Sequence, residues 1–182
     1  MNEYNEMVKA LAKPGQNIIN DLTPESAHNL HMVVGITGEV GELFEAIRDG
    51  DDNIVEELGD IEFFFEGLQQ GINFEIDDDH VDLTYRGWGL QPLMEALSIE
   101  AGNILDVVKK QAIYAKTLDV EKLTGLMLDF RGVLNAVYYH SEIRCTPFMA
   151  KCANIQKLSE RYAGLKYSNE AAQIRADKVS TQ

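Results

Sequence analysis

Two adjacent stretches of this chain repeat their apolar residues at helical spacing, with only a short acidic turn between them. From 25 to 48 the stripe is Leu30, Val33, Val34, Val40, Leu43, Phe44 and Ile47. From 53 to 70 it is Ile54, Val55, Leu58, Ile61, Phe64, Phe65 and Leu68. Residues three and four apart share a helix face, so each stretch predicts an amphipathic helix that must bury one side. Asp49-Gly50-Asp51-Asp52 is a tight turn, which makes the pair an antiparallel hairpin. Thr23-Pro24-Glu25 reads as an N-cap with proline at the first helical position, and Leu22 and Ala27 are placed to staple across it. Gly71 is the expected stop. Further helices are predicted at 92–115, 119–141 and 147–162. The fold class is therefore all-α, an antiparallel helical bundle. Residues 71–91, acidic and then Gly87-Trp88-Gly89, read as a linker or lid, and 163–182 as an extended tail with one helical turn at most.

A faint internal repeat runs through this plan. GITGEVGELFEAI (35–47) lies over ALSIEAGNILDVV (96–108), which sets Glu39 on Glu100, Gly41 on Gly102, Glu42 on Asn103 and Leu43 on Ile104. NIVEELGDIEFFF pairs more loosely with LTGLMLDFRGVL, setting Asp60 on Asp129 and Glu57 on Leu126. The expected organisation is a first helical unit at 1–70, a linker at 71–91 and a second, degenerate unit at 92–182.

Composition narrows the class. A chain of 182 residues can bury roughly 70% of its unfolded surface without a disulfide or metal staple. No apolar run is long enough to span a membrane, and the first residues lack a signal-peptide core, so a cytoplasmic location is expected. Cys145 and Cys152 match no zinc spacing and are expected to be reduced, partly buried residues. The net charge of −14 argues against nucleic-acid binding. It is uneven: residues 151–182 carry +3, leaving −17 on the first 150. That division suits carboxylates holding a metal and a cationic tail holding phosphate; a solvated surface accounts for it equally.

The acids give the sharpest signal. Glu39 and Glu42 are three apart on one predicted helix, and Glu57 and Asp60 are three apart on the next. Each helix therefore aims two carboxylates one way, and the hairpin lets all four converge beside the apolar stripe. Carboxylates crowded there repel and lose solvation unless a hard, oxygen-seeking cation joins them. Mg²⁺, with Mn²⁺ as a substitute, is the expected ion. A di-iron site would need Glu-x-x-His, which these helices lack. Gly35, Gly38 and Gly41 form a costly stripe in the first helix, and close approach of a backbone or ligand is the expected reason. Asp77-Asp78-Asp79-His80 lacks calcium-loop spacing and reads as a solvated turn.

The segment HxxxGITGEVGELFEAI followed by NIVEELGDIEFFF resembles the MazG-like, all-α NTP pyrophosphatase superfamily, whose signature is E-x-x-E, a gap, then E-x-x-D. Here those residues are Glu39, Glu42, Glu57 and Asp60. The run NIQKLSERYAGLKYSNEAAQIRADK resembles the tail of phage and bacterial members, which implies that Asn154, Lys157, Arg161 and Tyr162 handle the triphosphate. In this chain the first unit has the acids and the second has the tail, an arrangement similar to a fused pseudo-dimer and to the dimeric dUTPases. The resemblance implies Mg²⁺-dependent hydrolysis of a nucleoside triphosphate to monophosphate and pyrophosphate, with Glu39 as the catalytic base. His31, with His28, Tyr85, Trp88 and Tyr167, is a candidate for base recognition, and the preferred base is open. The competing readings are a phosphoribosyl-ATP pyrophosphohydrolase and a non-catalytic helical interaction protein. A homodimer of the fused unit is a further expectation.

Overall fold

A computed structural model describes residues 2–77 and 82–174. Asp78, Asp79 and His80 of the acidic turn, and Arg175, Asp177 and Lys178 of the tail, lie outside the described residues. The described residues form helices and connecting segments: α1 (Asn2–Leu11), α2 (Gly15–Asp21), α3 (Pro24–Asp49), α4 (Ile54–Ile72), α5 (Leu90–Tyr114), α6 (Val120–Tyr138), α7 (Pro147–Arg161) and α8 (Asn169–Ile174). Short 3₁₀ turns occur at Leu83–Tyr85 and Ala163–Leu165. The protein is an all-α bundle, as its periodicity requires.

Local chemistry sets the ends of the central hairpin. Thr23 caps α3 by accepting from the Ser26 N–H, while Ser26 Oγ accepts from the Thr23 N–H, and Pro24 occupies the first turn. Gly50, at φ 68°, ends α3 in the left-handed conformation that glycine adopts without a Cβ penalty. The stop of α4 falls later than Gly71. Asn73 provides the left-handed cap at φ 52°, and Gly71 stays helical, its missing side chain leaving room for Asn29 and His28 of α3.

The α3–α4 contact is an interlock. A Cβ on Gly35 would meet the Phe64 ring at 2.4 Å, and one on Gly67 would meet Met32 Sδ at 2.2 Å. Only the first glycine of the expected stripe works this way. Gly38 and Gly41 face open space, because steps of three residues rotate about 60° away from α4 each time. The predicted staple is also absent as drawn, since Ala27 is exposed.

Around this hairpin, α5 packs on α3, α6 on α5, and α7 on α4. α3 and α5 run antiparallel: Gln111 near the end of α5 donates to Glu25 at the start of α3, 3.4 Å, and Lys13 donates to the Ile113 carbonyl at 2.6 Å. The core runs unbroken through both hairpins, from Val33, Ile36 and Leu43 through Leu58, Ile61 and Phe65 to Leu97, Ile104, Met127 and Val133. Burying each such side chain is worth roughly 1.5–3 kcal/mol. Phe65 and Phe130 stack across it at 5.3 Å and 18°.

The residues paired by the repeat share their burial. Met32, Val33, Ile36, Val40, Leu43 and Ala46 are buried, and so are Leu93, Met94, Leu97, Ala101, Ile104 and Val107. In the second helices Leu58, Ile61, Phe65 and Leu68 match Met127, Phe130, Leu134 and Val137, all buried.

Other expectations need correction. The first residues form α1 and α2, which no core-facing stripe announces: Tyr4, Met7, Val8 and Leu11 of α1 are all exposed. Within the expected linker at 71–91, Ile76 is buried with its N–H bonded to Gln69 Oε1 at 2.6 Å. Asp82 and Tyr85 lie against α6 at Gly132. Of the cysteines, Cys145 is buried and Cys152 exposed, both as free thiols. No helix among the described residues is long and apolar enough to cross a membrane.

Candidate metal and phosphate site

The four predicted acids come from the centre of α3 and the first two turns of α4. Glu39, Glu42 and Glu57 each bring one carboxylate oxygen to within 4.8 Å of the other two. Glu57 is buried, Glu39 half-buried and Glu42 exposed, so the cluster opens to solvent on the Glu42 side. Glu57 also sits in the first turn of α4, where unbonded amides favour a negative side chain.

Crowding and burial alter the protonation of this cluster. Glu39 is pushed up to about 8, first by burial, then by the charges of Asp60, Glu42 and Glu57, and by the hydrogen bond it shares with Glu57. Glu57 is also raised, by burial and then by Glu42, Glu56 and Asp60, but the bond with Glu39 works the other way. Three carboxylate oxygens converging in this way fit a divalent cation, which takes oxygen ligands.

Asp60, the fourth acid, is held differently. Its Oδ1 accepts from Asn154 Nδ2 at 2.5 Å, and its Oδ2 accepts a short bond from Lys157 Nζ. Lys157 also donates to Glu56 Oε1 at 3.3 Å. Both partners belong to α7, from the far end of the chain. They reach Asp60 because α7 lies tight on α4 at Gly59, where a Cβ would stand 2.7 Å from the Ala150 carbonyl oxygen and 3.0 Å from Asn154 Cβ.

The remaining predicted residues are more peripheral. Arg161 ends α7 one turn beyond Lys157, on the same face. Tyr162 follows as its cap, with its ring 5.7 Å from Tyr167. His31 is exposed on α3, two turns before Glu39, and meets Phe64 edge-on at 5.7 Å. Phe63 continues that aromatic edge, 5.3 Å from Phe64, and stands one turn past Asp60 on α4.

Sequence reasoning missed a buried ion pair directly beneath the site. Arg131 of α6 donates to both oxygens of Glu62 on α4, at 2.7 and 2.9 Å, and both side chains are almost fully buried. Tyr138 donates to Glu62 at 3.2 Å, Lys151 of α7 approaches it at 3.8 Å, and the guanidinium lies 4.6 Å over the Phe65 ring. Burial and then Glu62 hold the Tyr138 phenol well above its ordinary value. A signal was available. Glu62 and Arg131 occupy matched positions of the repeat, each within an apolar stripe, and carry opposite charges.

The aligned position of the second hairpin is built otherwise. Asn103, matched to Glu42, donates to Glu100, matched to Glu39, at 3.2 Å. Leu126 replaces Glu57, and Asp129, matched to Asp60, is exposed.

Fold and site together define an all-helical protein with a divalent-cation-type carboxylate cluster on a helical hairpin. Residues 27–67, which lie within that hairpin, match the MazG nucleotide pyrophosphohydrolase domain, so over this segment the chain is similar to that family, a likeness that supports nucleotide pyrophosphohydrolysis at family level only. Divalent metal use is general in that family. Neither a curated protein nor a solved structure gives a match.

Proposed function

We propose that the protein is a Mg²⁺-dependent nucleoside triphosphate pyrophosphohydrolase, releasing pyrophosphate and leaving the monophosphate, with Mn²⁺ able to substitute. The observation that carries this reading is the convergence of Glu39, Glu42 and Glu57 beside an Asp60 that is joined to the α7 residues Asn154 and Lys157. Bound at the cluster, Mg²⁺ supplies the positive charge that lets the carboxylates ionise together and that offsets the charge of the triphosphate.

The protein's own groups divide the remaining work. Glu39, once ionised, orients a water toward the α-phosphorus and accepts its proton. The bond from that phosphorus to the β-phosphate oxygen breaks, and the leaving pyrophosphate takes its charge toward Lys157 and Arg161. Lys157 is a compact cation with three donors, suited to exchanging the Asp60 carboxylate for a phosphate oxygen. Asn154 holds Asp60 in place meanwhile. His31, with Phe63 and Phe64, offers a face on which a base can stack.

The matched burial of the two hairpins and the unequal distribution of their polar residues support a fused pseudo-dimer: the first unit supplies the acids and the second the phosphate-binding helix. The acidic surface favours a free nucleotide over a nucleic acid as substrate. A cytoplasmic setting and association into a homodimer complete the proposal. The test is pyrophosphate release with Mg²⁺ across the deoxy- and ribonucleoside triphosphates. Turnover that disappears in EDTA and shows a base preference supports the reading; no release from any of them by folded protein overturns it.

A further inference from the structure

The second hairpin lacks the acid cluster but carries a cleft of its own. It lies between residues 82–88 and the C-terminal end of α6, has a volume of about 540 Å³, and takes its walls from Tyr85, Arg86, Trp88, Tyr139 and His140. That volume falls within the roughly 300–1,000 Å³ typical of small-molecule pockets. Leu93, Gly132 and Ala136 add apolar lining. The Tyr85 and Trp88 rings meet edge to face at 5.3 Å, so one wall is a fixed aromatic corner. Asn135, whose amide carries both donors and an acceptor, contributes to the lining from a buried position.

The place of the cleft in the repeat is informative. Gly132 stands one turn past Asp129, just as Phe63 stands one turn past Asp60. The cleft thus flanks the relic acids as the His31–Phe63–Phe64 edge flanks the working ones. Tyr85 bridges the two: its phenol is held above its ordinary value by burial and then by Asp129, Glu100 and Asp82. Gly132 makes the arrangement possible, since a Cβ there would come within 2.8 Å of Asp82 Cβ. At the relic acids, Asn103 and Leu126 have replaced two carboxylates and Asn103 bonds Glu100 internally.

We propose that this cleft is a second, non-hydrolytic site that binds the nucleobase of a nucleoside or nucleoside monophosphate. Several aromatic rings on a concave, largely apolar surface suit a planar base, which stacks whatever its identity. The buried Asn135 amide and the half-buried Asp82 carboxylate read its polar edge, and Arg86 is the cation available to a single phosphate. The surrounding acids Asp82, Glu100 and Asp129 disfavour a triphosphate. The site is independent of where hydrolysis takes place.

Trp88 is the chain's sole tryptophan, so its fluorescence reports on this cleft alone. The full-length protein in Mg²⁺ is titrated with the deoxynucleosides and with their 5′-monophosphates, and inorganic phosphate serves as the base-free probe. At least one deoxynucleoside and its monophosphate are expected to quench saturably, with half-effect at or below about 1 mM. Phosphate is expected to do nothing. Tyr139→Ala weakens binding about tenfold, the loss expected for one stacking ring, and Tyr139→Phe restores it. Glu57→Gln leaves the quench intact, even if pyrophosphate release fails. The proposal is overturned by the absence of quenching with every nucleoside, by equal quenching with phosphate alone, by a Tyr139→Ala response like wild type in folded protein, or by loss of the quench in Glu57→Gln.

Discussion

The two hairpins, α3–α4 and α5–α6, bury the same positions and expose different chemistry. Leu58, Ile61, Phe65 and Leu68 have buried counterparts in Met127, Phe130, Leu134 and Val137. The acids do not keep this correspondence: Glu42 and Glu57 face Asn103 and Leu126. Close packing favours apolar side chains at these positions, which accounts for the same core pattern in both hairpins. A carboxylate cluster destabilises whatever carries it unless a ligand compensates, so the two hairpins differ in their need for a cation. The comparison teaches that matched apolar positions follow from packing, whereas the polar residues are what distinguish one hairpin from the other.

The most severe way to break the comparison is to make the first hairpin resemble the second. Glu57→Gln, Asp60→Asn and Glu42→Gln are each expected to lower pyrophosphate release by on the order of 10²–10³ or more, measured as kcat/KM. The helices should form unchanged, checked by circular dichroism. Three active variants would sink the site assignment.

Next in size is the pair that joins the hairpins. Arg131→Met removes the bidentate partner of the buried Glu62 charge, leaving the Tyr138 hydroxyl and Lys151 at 3.8 Å among the described residues, and is expected to cost about 3–5 kcal/mol of unfolding free energy. The double variant Glu62→Leu/Arg131→Met removes both charges and should recover most of that loss, because a well-packed apolar pair is close to neutral. Denaturant unfolding of the two variants decides the matter; equal loss in both would mean that packing around Phe65, rather than charge, is the sensitive feature.

How much of this was legible follows the same division. Helical periodicity located α3 to α7 to within a few residues, because stripes such as Leu58, Ile61, Phe65 and Leu68 can be satisfied only on a helix. The convergence of Glu39, Glu42 and Glu57 followed from i, i+3 spacing on an antiparallel hairpin. The capture of Asp60 by Asn154 and Lys157 had no local signal: it depends on α7 returning to α4 across about 90 residues and on the notch at Gly59. Glu62 and Arg131 have no local signal for burial, because their ion pair forms only when α4 and α6 meet across 69 residues. α1 escaped because its apolar face meets no core, and the role of Gly38 and Gly41 was misread because a three-residue step winds around the helix.

A smaller perturbation separates the contributions of the two units. Gly59→Ala forces α7 away from α4, since its methyl would meet the Ala150 carbonyl oxygen at 2.7 Å. Overpacking of this kind costs roughly 1–3 kcal/mol. Activity should fall more than stability does, because Asn154 and Lys157 move with the helix. A variant that loses stability but retains full kcat/KM would remove α7 from the site.

Milder still is the effect of pH on the metal-free protein. Glu39 sits at about 8 in the folded chain against 4.5 for an unperturbed glutamate. Between those values the folded state binds the extra proton, so this contribution is fully present below pH 4.5 and is lost as pH rises toward 8. The thermal midpoint in EDTA should therefore fall over that window, with the raised Glu57 acting in the same direction. Glu39→Gln should flatten the slope and melt above wild type at pH 8, and a slope unchanged by the substitution would assign it to other groups.

The smallest expected effect tests the second hairpin directly. Asp129 is exposed and Glu100 is tied to Asn103, so neither is poised to share a cation with two further carboxylates. Glu100→Gln and Asp129→Asn should therefore change pyrophosphate release by no more than roughly twofold, the scale of surface substitutions outside a working site. Both remove negative charge beside Tyr85, so each should instead lower the phenol's pKa, readable in the ultraviolet titration of tyrosine. If either variant proved as damaging as Glu57→Gln, the relic acids would belong to a working centre, and the chain would hold two sites of one kind. A shifted phenol with intact turnover is the combination that distinguishes a changed local field from a lost catalytic group.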